Sequence, residues 1–382
     1  MNEEVIKTLK QEKKKRSTHP YWIYESVQMI PDILEECLSD QLRKNIEKIV
    51  REFHSRNIEN VILLGRGSSY FLTLALRYLF IELLDIPTSS FVTNVFESYP
   101  IKINSRTAVF FHSTSGNSEG DKQVVEFAKQ FNAYTVGVTD ISDSLLAKSV
   151  DDVFLGPGGA KVELPATRTY VSALFRMSLF ATMLAKRSGN SKLSEKYEKA
   201  LYSFPNMLRK FLPEHEKYLS CEIEIIKDCS AFFILGYGPN VSTADESALA
   251  LSQSSGIPST SFELENFIHG PSQTLTKDMG VVAIAPKGPL QDRMLRMTNA
   301  AKKIGAKTIV LCPQDSEAMP YADIEIRIPN HIPDLLSPIV YMVPMWQTAY
   351  QFALLGKGGH PDRLSMDKPE FKIAFEYLMS KD

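Results

Sequence analysis

The feature that most constrains the fold is a pattern that occurs twice. A short apolar run, Val61-Ile62-Leu63-Leu64, stops at Gly65-Arg66-Gly67-Ser68-Ser69, and an apolar stretch with helical character follows from Tyr70 to Leu84. Near Cys229 the order repeats: the run Ala231–Leu235, then Gly236-Tyr237-Gly238-Pro239, then a helical stretch to Ser254. A buried strand ending in a glycine turn that opens a helix is the unit of parallel α/β architecture. Two such series in 382 residues predict two α/β lobes, each a parallel sheet flanked by helices.

Further elements fit this reading. In the first series, β-like segments are expected at 89–95, 107–112, 134–139 and 152–155, with helices at 121–131 and 167–185. In the second, strands are expected at 280–285, 308–312 and 323–328, with helices at 291–304 and 335–355. The expected divisions are an N-terminal helical segment (1–45), a first lobe (46–212), a second lobe (213–360) and a C-terminal tail (361–382). Neither lobe carries GxGxxG or GxxxxGK[ST], which disfavours nucleotide binding.

Charge and cysteine content narrow the function. The net charge of −2 offers no basic field for nucleic acid or an anionic membrane, and Lys13-Lys14-Lys15-Arg16 reads as a solvated cluster. No apolar run reaches the roughly 18 residues that span a bilayer. The four cysteines form no CxxC pair, and no His/Asp/Glu cluster has metal-ligand spacing, so no metal or cofactor is expected. Without a charged start and apolar stretch at Met1–Glu4, the expected compartment is the cytoplasm.

The stretch with most chemical content is Ser113-Thr114-Ser115-Gly116-Asn117-Ser118, between a strand and a helix. Hydroxyls and free backbone N–H groups at a helix N-terminus suit a phosphate; they also suit an ordinary N-cap and turn. Ser68-Ser69 lies in the other turn at the same sheet edge, so the two turns would converge on one anion.

Gly67-Ser68-Ser69-Tyr70, Ser113–Ser118 and Ala166-Thr167-Arg168-Thr169 resemble, in order, the GTSY, SQSGET and ASTKAF motifs of the sugar isomerase (SIS) domain. Ile268-His269-Gly270-Pro271 is similar to that family's KHGP. The resemblance spans roughly 46–368 and points to the isomerase half of glucosamine-6-phosphate synthase and to Amadori-product deglycases and amino-sugar-phosphate deaminases. It implies two tandem SIS lobes, with Gly67, Ser69, Ser113, Thr114, Ser115, Ser118, Thr167 and Arg168 holding a sugar phosphate. It implies that His269 opens the sugar ring from the neighbouring subunit of a homodimer, and that Lys368 in the tail closes over the sugar.

One departure matters. The family's catalytic glutamate aligns with Gln253, and an amide does not accept a proton near neutral pH. Three explanations stand: another carboxylate (Glu263 or Glu265 in the loop before His269, or Glu246) has taken over; the reaction needs no such base; or the protein binds without turnover. The chain shows no cysteine after Met1 and no length for an amidotransferase half, so free ammonia or a released amino acid is the expected nitrogen partner. The resulting expectation is an isomerase, deaminase or deglycase acting at C1/C2 of a hexose 6-phosphate derivative. A non-catalytic phosphosugar sensor is the alternative.

Overall fold

The computed structural model describes residues 16–99, 101–159, 164–317, 322–356, 360–362 and 368–379. Lys13–Lys15 and tail residues 363–367 lie outside the described residues. The first half runs α1 (Trp22–Gln28), α2 (Ile30–Glu36), α3 (Asp40–Ser55), β1 (Asn60–Gly65), α4 (Ser68–Leu84), β2 (Thr88–Val92), α5 (Thr93–Ser98), β3 (Thr107–His112), α6 (Glu119–Gln130), β4 (Tyr134–Thr139), α7 (Leu145–Ser149), β5 (Asp152–Leu155) and α8 (Arg168–Arg187). Helices α9 (Ser191–Glu216) and α10 (Leu219–Ile226) lead to the second series. It comprises β6 (Ala231–Gly236), α11 (Val241–Ser255), β7 (Ser259–Glu263), α12 (Leu264–Ile268), β8 (Met279–Ile284), α13 (Gln291–Ile304), β9 (Lys307–Pro313), β10 (Ile324–Ile328) and α14 (Ser337–Ala353), with α15 (Pro369–Met379) last.

Both sheets are five-stranded and parallel, ordered β2-β1-β3-β4-β5 and β10-β9-β8-β6-β7. Read from its other edge, the second order is 7-6-8-9-10, the same topology as the first. The two glycine turns repeat as well. A Cβ on Gly65 would lie 2.2 Å from the Ser69 carbonyl oxygen, and one on Gly236 would lie 2.2 Å from that of Asn240. Gly67 (φ +54°) and Gly238 (φ +52°) take the positive φ that the turn requires and that other residues resist.

The helices that leave these turns join the lobes. α4 and α11 pack on each other, α4 also on α8, and α11 on α14. One continuous core therefore runs from Ile23 through Phe110 and Phe180 to Trp346 and Phe352. Smaller clusters cover the outer sheet faces, around Phe96 and Val125 in the first lobe and Phe267 and Met294 in the second.

Three details differ from the sequence reading. The segment expected to be β-like to Val95 leaves the sheet at Val92, because Thr93 begins the short α5. The segment before His269, expected to be a loop, is edge strand β7 followed by the one-turn helix α12. Its alternation Ser259-Thr260-Ser261-Phe262 is too polar to read as a buried strand. The division at 212/213 falls inside the continuous helix α9.

Candidate active site

The β1 and β3 turns meet at the carboxyl edge of the first sheet. Ser68 and Ser69 open α4 there, with the N-terminal N–H groups of a 17-residue helix behind them. The loop after β3 is tied to β4: Ser113 N–H donates to the Val138 carbonyl (3.0 Å), and the Thr139 hydroxyl donates to the Thr114 carbonyl (3.0 Å). Ser68, Ser69, Ser113 and Thr114 then line one narrow cleft. Its inner wall is His112, Thr139, Asp140, Thr169, Tyr170 and Arg176.

The remaining residues singled out from sequence are placed as follows. Ser115 is exposed beside the cleft mouth. Ser118 sits at the N-cap of α6, where its hydroxyl accepts from Arg66 Nη2 (2.8 Å); Arg66 also pairs with Asp121. Thr167 is buried at the N-cap of α8. Arg168 is buried with Nε donating to the Gly158 carbonyl (3.0 Å) and Nη1 to the Ser26 hydroxyl, so two of its nitrogens are engaged by protein acceptors.

The candidate bases divide by partner. Glu263 caps α12, with Oε2 accepting from the N–H groups of Glu265 (2.8 Å) and Asn266 (3.1 Å). Glu265 is forked onto Arg293 at 2.8 and 3.2 Å, and that hydrogen bonding holds its carboxyl below the usual range. His269 caps the C-terminus of α12, 3.7 Å from Glu265, with its side chain 77% exposed. Gln253 is half-buried near the end of α11, and Lys368 is exposed just before α15. None of these five lines the cleft. Glu246 is fully buried on α11 and accepts from the Ser68 hydroxyl (3.2 Å), which places a carboxylate directly behind a cleft residue.

The inner wall holds a charge pair that sequence reasoning missed. Arg176 donates through Nη2 to Asp140 Oδ1 (2.9 Å), through Nη1 to the Phe154 carbonyl (3.0 Å) and through Nε to the Ser172 carbonyl (3.2 Å). Both side chains are 1% exposed. Burial pushes the Asp140 carboxyl up, and Arg176 and Arg168 oppose the rise. His112, also buried, is pushed down to about 4 by loss of hydration. The available signal was Arg176 itself, a lone cation within the apolar stretch Tyr170–Ala185. A buried arginine requires a partner.

A model of the SIS domain matches residues 55–183 and again 225–355. The chain belongs to the SIS domain family. It is 28% identical over 351 residues to glutamine–fructose-6-phosphate aminotransferase [isomerizing] of Thermococcus kodakarensis, covering 91% of this chain and 57% of that relative. The enzyme of the same name from Methanothermobacter thermautotrophicus is 28% identical over 342 residues, 89% of this chain and 55% of the relative. The chain thus spans little more than half of the curated relatives it matches. Among solved structures it resembles the C-terminal domain of glucosamine-fructose-6-phosphate aminotransferase from Francisella tularensis (TM-score 0.81, 19% identity, 91% and 100% of the two chains). Glucosamine-6-phosphate deaminase from Thermotoga maritima also matches (TM-score 0.69, 24% identity, 89% and 97%). At these identities the structural likeness establishes the fold.

The two SIS domains are not chemically equivalent. Where the first has the hydroxyl loop after β3, the second has Ala285-Pro286-Lys287-Gly288-Pro289 after β8, and the Tyr237 hydroxyl donates to the Pro286 carbonyl (2.7 Å). A larger groove of about 810 Å³ lies between α9–α10 and edge strand β10, lined by Phe211, Tyr218, Ile324 and Ile326 among others. It has no cluster of hydroxyls and adjoins neither glycine turn, so the hydroxyl cleft of the first SIS domain is the candidate site. No helix among the described residues is long and apolar enough to cross a membrane.

Proposed function

We propose that the protein binds a hexose 6-phosphate or amino-hexose 6-phosphate in the first SIS domain and rearranges or cleaves it at C1/C2, as an isomerase, deaminase or deglycase. The observation that carries this reading is the convergence of Ser68, Ser69, Ser113 and Thr114 on one cleft at the start of α4. Neutral hydroxyls and helix N–H groups there favour a phosphate without a lysine.

The chemistry needs a proton carrier in place of Gln253. Glu263 is committed to a cap and Glu265 to an ion pair, whereas Glu246 reaches the cleft through Ser68. In this reading Ser69, Ser113 and Thr114 hold the phosphate, and Glu246, relayed through the Ser68 hydroxyl, carries the proton taken from one of C1 and C2 and returned to the other, while the hydroxyl proton passes between O1 and O2. His269 opens the ring from a second subunit; its 77% exposure, outside the cleft of its own chain, supports a shared site in a homodimer. The tail contributes Lys368. Cys37, Cys221, Cys229 and Cys312 are in no disulfide among the described residues, which fits a reducing, cytoplasmic setting.

The second reading, a phosphosugar sensor without turnover, is favoured by Gln253 itself. Proton NMR in D₂O with fructose 6-phosphate, glucosamine 6-phosphate and fructoselysine 6-phosphate separates the two. Deuterium uptake or product formation, lost in Glu246→Gln and His269→Ala, is the enzyme result. Saturable binding with no exchange at C1 or C2 refutes catalysis and leaves the sensor.

A further inference from the structure

The C-terminal helix α15 makes no extended packing with any described element. Phe371, Ile373, Ala374, Phe375, Tyr377 and Leu378 spread over most of its circumference. The polar remainder is Glu370 in the first turn and a strip of Lys372 and Glu376, paired at 3.8 Å. Ile373 and Leu378 are 69% and 76% exposed. A helix that is apolar on most sides is normally buried, and one of 11 residues is marginal in water without packing. α15 also lies beyond the SIS match, which ends at residue 355.

The groove of about 810 Å³ between α9–α10 and β10 is the complementary feature. β10 is an edge strand, and proteins cover such edges with a helix because their unpaired N–H and C=O groups promote association. Tyr218 and Ile225 stand exposed in the groove, and Phe211, Ile324 and Ile326 line it with them. The lengths agree. α15 runs about 16 Å at ~1.5 Å per residue, and the five residues of β10 run about 16 Å at ~3.3 Å each. The charges agree as well: Lys210 on the groove and Glu370 on α15 each lack an ion-pair partner among the described residues.

We propose that α15 of one molecule seats in the α9–α10/β10 groove of a second copy of this chain, with Glu370 at Lys210, and that the exchange is reciprocal. A second copy is the occupant because α15 lies against no seat in its own chain. A membrane surface is disfavoured, since one lysine against two glutamates gives the helix no basic face. The exposed side chains of α15 offer roughly 500 Å². With the facing groove, and in both directions, the contact reaches roughly 2,000 Å², the size of a stable interface. Reciprocal exchange closes under two-fold symmetry and leaves no open chain of molecules. The groove lies at the opposite edge of the second sheet from β7, which leads into the helix that carries His269. This contact and the shared site proposed above therefore use different faces, and neither inference depends on the other.

The test is light scattering of the full chain, joined to an engineered crosslink. Leu378→Asp and Tyr218→Asp each place a charge in the contact from one side, at exposed positions where far-UV circular dichroism should show an intact fold. Each should halve the mass of the wild-type assembly: from dimer to monomer, or from tetramer to dimer where the His269 face also joins two copies. Cys221 is an exposed cysteine on the groove. With diamide as oxidant, at least one of Ile373→Cys, Ala374→Cys and Leu378→Cys, spaced around α15, should form an intermolecular disulfide that Cys221→Ser abolishes. A monomeric wild type, or an unchanged mass in either aspartate variant, overturns the proposal. A disulfide within one chain would mean that α15 covers its own groove. One that survives Cys221→Ser would mean that α15 pairs with its counterpart. Either result overturns the proposal, as does the absence of any link to Cys221.

Discussion

Replacing Arg176 with methionine removes the positive half of a pair sealed inside the first SIS domain. The side chains of Arg176 and Asp140 are each 1% exposed, and the three nitrogens of Arg176 are all bonded to protein. Methionine fills much of the same volume but leaves Asp140 buried beside Gly156 and Gly158 with no countercharge in contact. Breaking a buried pair from one side typically costs about 3–5 kcal/mol, mostly the penalty of the stranded charge. The penalty should depend on pH. Burial already raises the Asp140 carboxyl above the ordinary carboxylate range, and loss of Arg176 raises it further. A carboxyl raised in the folded state contributes stability below its unfolded value, and that contribution is lost as pH rises through the folded value. The gap between wild type and variant should therefore widen from acid toward neutral pH, by at most about 1.4 kcal/mol per unit, until the variant's folded value is passed. Denaturant melts between pH 4.5 and 8 read this directly. The double variant Asp140→Leu with Arg176→Met, which strands nothing, should recover most of the loss. If Arg176→Met is as stable as wild type, or if its deficit is flat with pH, Asp140 is not held as a buried charge and the account of the inner wall is wrong.

Other outcomes follow from the same structure. His112 is depressed from 6.5 to about 4, so the unfolded chain binds a proton that the folded chain refuses. Stability present above pH 6.5 should fall by roughly 3 kcal/mol as pH drops toward 4, and His112→Gln should remove that part of the acid slope in urea melts. In Gly65→Ala the new methyl would sit 2.2 Å from the Ser69 carbonyl oxygen, so α4 must shift. We expect about 1–3 kcal/mol of destabilisation and weakened phosphate binding by calorimetry, and an unchanged melting temperature would contradict the close strand–helix approach. Glu263→Ala should cost about 1 kcal/mol through loss of the α12 cap while leaving carbon–deuterium exchange with substrate intact. Abolished exchange in a folded protein would make Glu263 the base.

Much of the architecture was legible because it is written locally. Apolar strands, glycines at turns and helical periodicity are properties of contiguous residues, and their recurrence in Gly65-Arg66-Gly67 and Gly236-Tyr237-Gly238 was enough to predict two like lobes. The hydroxyl cluster was equally visible, since Ser113–Ser118 is one uninterrupted segment at a strand end. Strand β7 was not, because an edge strand with polar alternation carries little of the buried-strand signal. The roles of the carboxylates were not legible either. Glu263 and Glu265 looked like candidate bases, yet a cap and an ion pair occupy them, and the second depends on Arg293 from α13.

What the sequence by itself determined is the class of fold, its duplication and which turn carries the hydroxyls, all of which depend on neighbours in the chain. Only the tertiary structure decided what stands behind those hydroxyls. Asp140 meets Arg176 from 36 residues away, and Ser68 meets Glu246 from 178 away. A charge inside a protein is tolerable only with a partner, and which partner is available is settled when β4, α4, α8 and α11 pack together.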